Sequence, residues 1–349
     1  MAYVASNGII CAVRRRYKKI RAVILRTLFS FCVVKRAWYG VRRVMAPISP
    51  TLPPPPKAPE IISWGHAVGY VSPQEFLPRK VWTYWSGSTS QCAEACQKSW
   101  HENTKNFDVI VLNDDSVKDM IPDFPDIPAG IPIQLKSDLI RLTLMERYGG
   151  IWIDYSIMLT KPIDWIANLL ETRRHEVLAF YNECPIFYRK DRERPIIENG
   201  LLAAFPRSEF IHDWRDVFLD CLLSDSYRNY FKNFQNYNML TANFLTEDLK
   251  LIEYLSCYVA AQCVMLSPKK YRILLLNAED DFYHCLYKTR TPGSQWQFAE
   301  EILFRSAKDH DFSSIIKIPA GHRRIVDEYI KYRVFKDHSL LGQYLNSPG

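Results

Sequence analysis

Uninterrupted hydrophobic stretches of membrane-spanning length are missing from this 349-residue chain. One apolar run, residues 22–34, is broken by Arg26 and is too short for a comfortable bilayer span. No G-x-G-x-x-G follows a strand-like segment, which disfavours a dinucleotide-dependent dehydrogenase. No internal repeat is present. The nine cysteines are odd in number and lack framework spacing, and no secretory signal is read ahead of them, so a reduced compartment is the simpler expectation. Cys92 and Cys96 lie four apart on a helix-like stretch, but no second Cys/His pair nearby completes a metal site, which favours packing thiols. Acid is scarce at one end. Residues 1–60 carry twelve Lys/Arg and a single acid, Glu60, for a local charge of +11, so the remainder sums to −4 within an overall +7. The basic character therefore belongs to an arm, and the body shows no nucleic-acid footprint.

What is present describes a globular body on that arm, with a length that permits one large domain or two. Residues 14–45 alternate basic clusters with the short apolar run, a pattern that suits an amphipathic helix on an anionic membrane surface. A signal-anchor, or a basic helix packed on the body, are the competing readings. Pro47 to Pro59, with four consecutive prolines at 53–56, reads as an extended spacer. The division expected is thus 1–46 basic arm, 47–75 proline-rich linker and 76–349 body, with the chain cytoplasmic and peripheral to a membrane, or alternatively signal-anchored in the secretory pathway.

Within the body, Lys80–Trp85 alternates and is aromatic, as a first strand should be. Residues 91–101 read as helix and 107–112 as a second strand, closed by Asn113-Asp114-Asp115 as a solvated turn. Residues 177–181 and 200–205 are further strand candidates, with Glu198-Asn199 as a turn before the second or as part of a site. Residues 209–222 and 241–262 read as amphipathic helices, the latter with Glu247, Asp248 and Glu253 on its polar side. The chain is organised around residues 134–164. Leu135, Leu139, Leu142 and Met145 recur at helical spacing, Gly149-Gly150 supplies the positive-φ stop, and Ile151-Trp152-Ile153 is a brief buried strand. Asp154 follows at the strand's carboxyl end, where open α/β sheets bind ligands. Asp138 and Arg141 share a face of the preceding helix and suit a polar ligand. The plainer alternative is a surface ion pair and a strand-end cap.

Ser137-Asp138-x-x-Arg141 followed by Tyr148-Gly149-Gly150-x-x-x-Asp154 resembles the core of the capsular-polysaccharide-synthesis type of glycosyltransferase, related to glycosyltransferase family 32. Leu77–Trp85 resembles that family's first strand, 197–204 a later segment and, weakly, 339–341 its end. The resemblance implies a GT-A fold: a Rossmann-like α/β/α sandwich with a mostly parallel central sheet. It implies a sugar moved from a nucleoside-diphosphate donor to a glycan or other hydroxyl acceptor, with retained configuration. Trp85 would stack on the donor base, and Tyr84, Ser137, Asp138, Arg141, Asp154 and Lys317 would also bind the donor. Asp154, Asp138, Arg141, Glu198 and Asn199 would form the catalytic set. The family's Asp-x-Asp pair holds Mn²⁺ or Mg²⁺, but this chain reads Asp154-Tyr155-Ser156, and a hydroxyl is a far weaker ligand for hard cations than a carboxylate. The metal candidates are therefore Asp154, Ser156 and His322, with His284 as a further histidine. The loss of the second acid leaves one rival function, a non-catalytic sugar-nucleotide or glycan-binding protein. A phosphatase with Asp154 as nucleophile is disfavoured, since no acid stands two residues on and no Thr four residues on.

Overall fold

A computed structural model describes residues 32–46, 52–65, 76–183, 194–225, 229–233, 254–288 and 294–346. Its longer helices are α1 (Cys32–Met45), α2 (Gln91–Asn103), α3 (Ile133–Tyr148), α4 (Asp164–Arg173), α5 (Glu209–Leu223), α6 (Ser256–Met265), α7 (Gln295–Phe304) and α8 (Ala320–Lys331). The strands are β1 (Ile61–Trp64), β2 (Lys80–Tyr84), β3 (Asp108–Leu112), β4 (Gly150–Ile153), β5 (Ile157–Leu159), β6 (Val177–Asn182), β7 (Ile196–Ala204), β8 (Ile273–Asn277) and β9 (Ile315–Lys317). Seven strands form one sheet in the order β1-β8-β6-β7-β4-β2-β3, and β5 pairs with β9 in a second, small sheet. The pairings give β2, β3, β4, β6 and β8 one direction and leave β1 and β7 antiparallel to their neighbours. This is a mostly parallel α/β sandwich with helices on both faces of the sheet, the architecture that the resemblance implies.

Strand alternation sorts the core into two layers. Trp82, Trp152, Ala179, Leu202 and Leu275 face one side, where they meet α3, α5 and α6. Their neighbours Val81, Ile151, Leu178, Ala203 and Leu276 face the other, against α2 and α4. A period of two sends successive side chains to opposite faces, so strands buried on both sides read as continuous apolar runs. A third cluster joins α1, α2, α7 and α8 around Tyr39, Met158, Phe298 and Tyr329.

The organising stretch folds as its pattern requires. α3 ends on Gly149 (φ 62°), whose N–H donates to the Met145 carbonyl at 3.1 Å, and Gly150 (φ 98°) opens β4. The Trp82 indole N–H donates to the Gly149 carbonyl at 2.8 Å and fixes the turn to the adjacent strand.

Two parts differ from the sequence expectation, and a third matches one of the readings left open for residues 14–45. Ile61–Trp64, inside the span read as linker, forms β1 and pairs with β8, because its Ile-Ile-Ser-Trp pattern fits a sheet edge despite the prolines before it. α1 lies packed on the body: Tyr39 stacks on Tyr332 at 4.8 Å and meets Tyr329 edge-on at 5.1 Å, while Lys35 pairs with Glu328 at 3.0 Å. Glu198 and Asn199 lie within β7, not in a turn. Residues 14–31 of the 14–45 stretch read as a membrane-surface helix, and residues 241–253 of the helix expected over 241–262, with Glu247, Asp248 and Glu253, lie outside the described residues.

Gly150→Ala should be strongly destabilising, since the added Cβ would lie 2.6 Å from the Lys80 carbonyl oxygen at a φ that L-residues rarely adopt. A loss of about 2 kcal/mol in urea denaturation is expected from the backbone strain alone.

Candidate functional site

Directly after β4, Asp154 donates its backbone N–H to the Gly200 carbonyl at 2.9 Å. The antiparallel register that sets Ile153 opposite Leu201 brings Glu198, Asn199 and Gly200 beside the acid. Position 200 must be glycine for this approach: a Cβ would lie 2.9 Å from the Phe282 ring and 3.2 Å from Asp154 Oδ2.

Asp138 and Arg141 arrive on the buried face of α3. Arg141 Nη1 donates to Asp138 Oδ1 and Nη2 to Asp154 Oδ1, each at 2.6 Å. Its guanidinium carbon lies 4.9 Å from the Trp152 ring centroid, and the indole N–H of Trp152 donates to Asp154 Oδ1 at 2.9 Å. Lys317, at the end of β9, pairs through Nζ with Asp154 Oδ2. Asn199 Nδ2 donates to Asp138 Oδ1 at 3.1 Å. Glu198 accepts from the Tyr258 hydroxyl at 2.8 Å and the Tyr283 hydroxyl at 2.9 Å.

These partners divide the three acids electrostatically. Burial would raise the Asp154 carboxyl, but Lys317 and Arg141 overcome it and hold the group at about 2. Burial prevails at Asp138, which is pushed up to about 6 against the pull of Arg141 and with Asp154 adding repulsion. Glu198 is raised by burial too, opposed by hydrogen bonds from its two tyrosines and the charge of Lys317. One carboxylate is firmly ionised, and two neighbours take up protons more readily than ordinary acids.

The donor-binding and catalytic candidates, with Ser156 and His322, line one cavity of about 910 Å³. Trp85 stands at it half-buried, its ring 5.0 Å from Tyr155 and 5.1 Å from the Arg323 guanidinium carbon. Tyr84 also lines it, but its hydroxyl is committed to Asp114 Oδ1 at 2.6 Å. Asp114, expected in a solvated turn, also accepts from Lys136 at 2.8 Å, and that lysine first, then Ser86 and Tyr84, hold its carboxyl at about 2. It therefore braces the rim. His284 is not at this cavity: it lines a separate one with Glu301 and Asp311, and burial lowers its pKa to about 4. Tyr258 and Tyr283, which grip Glu198, were missed. They stand in segments without a motif, and no local spacing links either to position 198.

The donor set does not fit Mg²⁺ or Mn²⁺. Asp154 has both carboxylate oxygens paired with cations, Arg141 on one and Lys317 on the other. Ser156 offers only a neutral hydroxyl. His322 Nε2 lacks a hydrogen-bond partner, yet it is sealed from solvent, and its ring packs edge-on against Phe298 at 5.1 Å. Hard cations take charged oxygen ligands. Among the described residues, no group of three or more His, Cys, Asp or Glu is placed to hold a metal ion. Cys92 and Cys96 are buried packing residues of α2.

Comparison with known proteins bears on this arrangement. A stretch of 88 residues is 35% identical to glycosyltransferase afumC of Aspergillus fumigatus, covering 24% of this chain and 21% of that protein. Over 165 residues the chain is 26% identical to the initiation-specific alpha-1,6-mannosyltransferase of Saccharomyces cerevisiae, covering 40% of this chain and 33% of that one. The matches thus span a third or less of these relatives' own lengths. Among solved structures, the galactosyltransferase LgtC in complex with donor and acceptor sugar analogs is 11% identical at a TM-score of 0.32, over 77% of this chain and 97% of that one. The PaToxG glycosyltransferase is 14% identical at 0.29, over 57% and 82%. TM-scores this low carry no argument. The family model for capsular polysaccharide synthesis proteins matches residues 70–264, more than half of the chain, including β4, Asp154 and the Asp138/Arg141 pair. The chain belongs to the capsular polysaccharide synthesis protein family.

Proposed function

We propose that this protein is a glycosyltransferase that moves a sugar from a nucleoside-diphosphate donor to a glycan or other hydroxyl acceptor. The observation that carries the reading is the convergence of Asp154, Asp138, Arg141, Glu198, Asn199 and Lys317 on one cavity. In this reading Trp85 offers its ring to the donor base, with Ser137 nearby, and the carboxylates of Asp138 and Asp154 accept hydrogen bonds from sugar hydroxyls. Arg141 acts as the positioning residue that fixes both acids. The anomeric carbon–oxygen bond breaks, its electron pair leaves on the diphosphate, and the acceptor oxygen bonds to the anomeric carbon through an oxocarbenium-like state. The acceptor proton passes to the departing diphosphate. Glu198 and Asn199, beside Asp154 on β7, face the transferred sugar. Retention of configuration is the expectation carried by the family resemblance.

The rival is a binding protein that holds a sugar nucleotide or glycan without turnover, favoured by the neutral Ser156 in place of a second acid. Donor consumption separates the two. A panel of nucleotide-sugars scored by thermal stabilisation should give at least one hit, and that donor should be consumed. Asp154→Asn should lower turnover by about 10²-fold or more, as removal of a charge-organising group does. Stabilisation without consumption by the unaltered protein would favour the binder.

Asp154 also sets a pH dependence. Its carboxyl sits at about 2 in the folded chain, against roughly 3.9 when unfolded. The stability it contributes is fully present above about pH 4 and is lost as pH falls through about 2. Urea titrations at a series of acidic pH values should show this component in the unaltered chain and not in Asp154→Asn.

The basic arm is read as meeting an anionic membrane surface. No helix among the described residues is long and apolar enough to cross a membrane. α1 keeps Val33, Val41, Val44 and Met45 exposed, with Arg36 and Arg43 beside them, while Tyr39 faces the body. The protein should co-sediment with anionic vesicles at low salt and release at high salt, and Val41→Asp with Val44→Asp should weaken the association.

A further inference from the structure

The geometry points to a donor diphosphate neutralised by Lys317 and Arg323 in place of a divalent cation. The inference rests on the glycosyltransferase reading above and concerns how that site handles its leaving group.

Three observations carry it. First, Lys317 is paired with Asp154 Oδ2, and Ser156 stands two residues on, where a second acid would be needed to share a metal ion. β9 fixes the lysine there: Lys317 is paired in register with Ile157 of β5, and its backbone N–H donates to the Phe282 carbonyl at 3.1 Å. Its side chain is largely buried, so the ammonium is a fixed charge and not a mobile surface one. Second, a divalent ion on Asp154 would lie against two cations already bound to that carboxylate, Arg141 and Lys317. Like-charge repulsion at such distances opposes the ion. Third, a further cation stands on the same cavity. Arg323, in the first turn of α8, lies over Trp85, so a base placed against that ring would carry its phosphates towards the guanidinium. α8 has no acid in its first turn and no side-chain cap at Pro319, so its backbone dipole adds a field of the same sign.

The division of labour is specific. Arg141 is spent on Asp138 and Asp154 and remains with them. Lys317 keeps Asp154 on one side and offers its remaining N–H donors to the anion that arrives, and Arg323, on the same cavity, takes the second phosphate. When the bond from the anomeric carbon to the phosphate oxygen breaks, the charge that appears on the diphosphate meets two fixed cations, the role a metal fills elsewhere.

The test is calorimetric titration of the full chain with GDP and with UDP, each in EDTA and in Mn²⁺, with circular dichroism to verify folding. At least one nucleotide should bind with a Kd that differs by less than about threefold between the two conditions. Lys317→Gln and Arg323→Gln should each weaken it in EDTA by tenfold or more, and Lys317→Arg should restore most of the affinity. Arg323 is only partly buried, so its variant stays informative if Lys317→Gln fails to fold. The double change Lys317→Ala with Ser156→Asp should convert binding to Mn²⁺ dependence. Binding by the unaltered protein that vanishes in EDTA and returns with Mn²⁺ overturns the inference and leaves the glycosyltransferase reading standing. Full affinity in both glutamine variants overturns it as well. Failure of both nucleotides to bind under either condition counts against the donor reading itself, and with it against this inference.

Discussion

The guanidinium of Arg141, held between the carboxylates of Asp138 and Asp154, is the interaction on which the rest of this molecule depends. Each buried ion costs several kcal/mol of lost hydration, which only close pairing with good geometry offsets. The pairing joins the middle of α3 to the residue after β4, so it fixes the helix against the sheet. The two-glycine turn makes this possible, because it reverses the chain within two residues and leaves Arg141 opposite Asp154. Removing the arginine would strand two acids in the interior, so the motif is structural and chemical at once.

The central stretch was legible because its signals are local. Helical spacing, a glycine stop and a short apolar run each act over a few residues, and α3, Gly149 and β4 follow the pattern almost residue by residue. Less was legible where the decisive partner is distant in sequence. β1 was hidden among prolines because its reason to exist is β8, more than 200 residues later. Glu198 and Asn199 looked equally like a turn, since only pairing of β7 with β4 and β6 makes them strand. The tyrosines on Glu198 and the brace formed by Asp114 likewise come from fold-level convergence. The types of residue at the site could be read from sequence, but the arginine's commitment to two acids could not.

The site also shows how a lost ligand changes a motif's chemistry. With Ser156 in place of an acid, Asp154 has no carboxylate two residues on with which to share a metal ion, and its positive partners are the side chains of Arg141 and Lys317. Lys317 reaches it because β5 and β9 form a separate two-stranded sheet that carries the late segment back to the mouth of the large one. A small sheet of three-residue strands thus ties the last part of the chain to the strand end where the acid stands.

The antiparallel attachment of β1 bears on where this chain can be shortened. β8 is buried along its whole length, and β1 supplies its outer hydrogen-bonding neighbour. A chain started at residue 76, the natural place to cut by the proline pattern, would leave a row of unsatisfied amides and carbonyls beside Leu274, Leu275 and Leu276. Such a bare, apolar margin is a template for stacking copies edge to edge, so insolubility of that fragment would reflect a torn sheet and say nothing about the chemistry of the site.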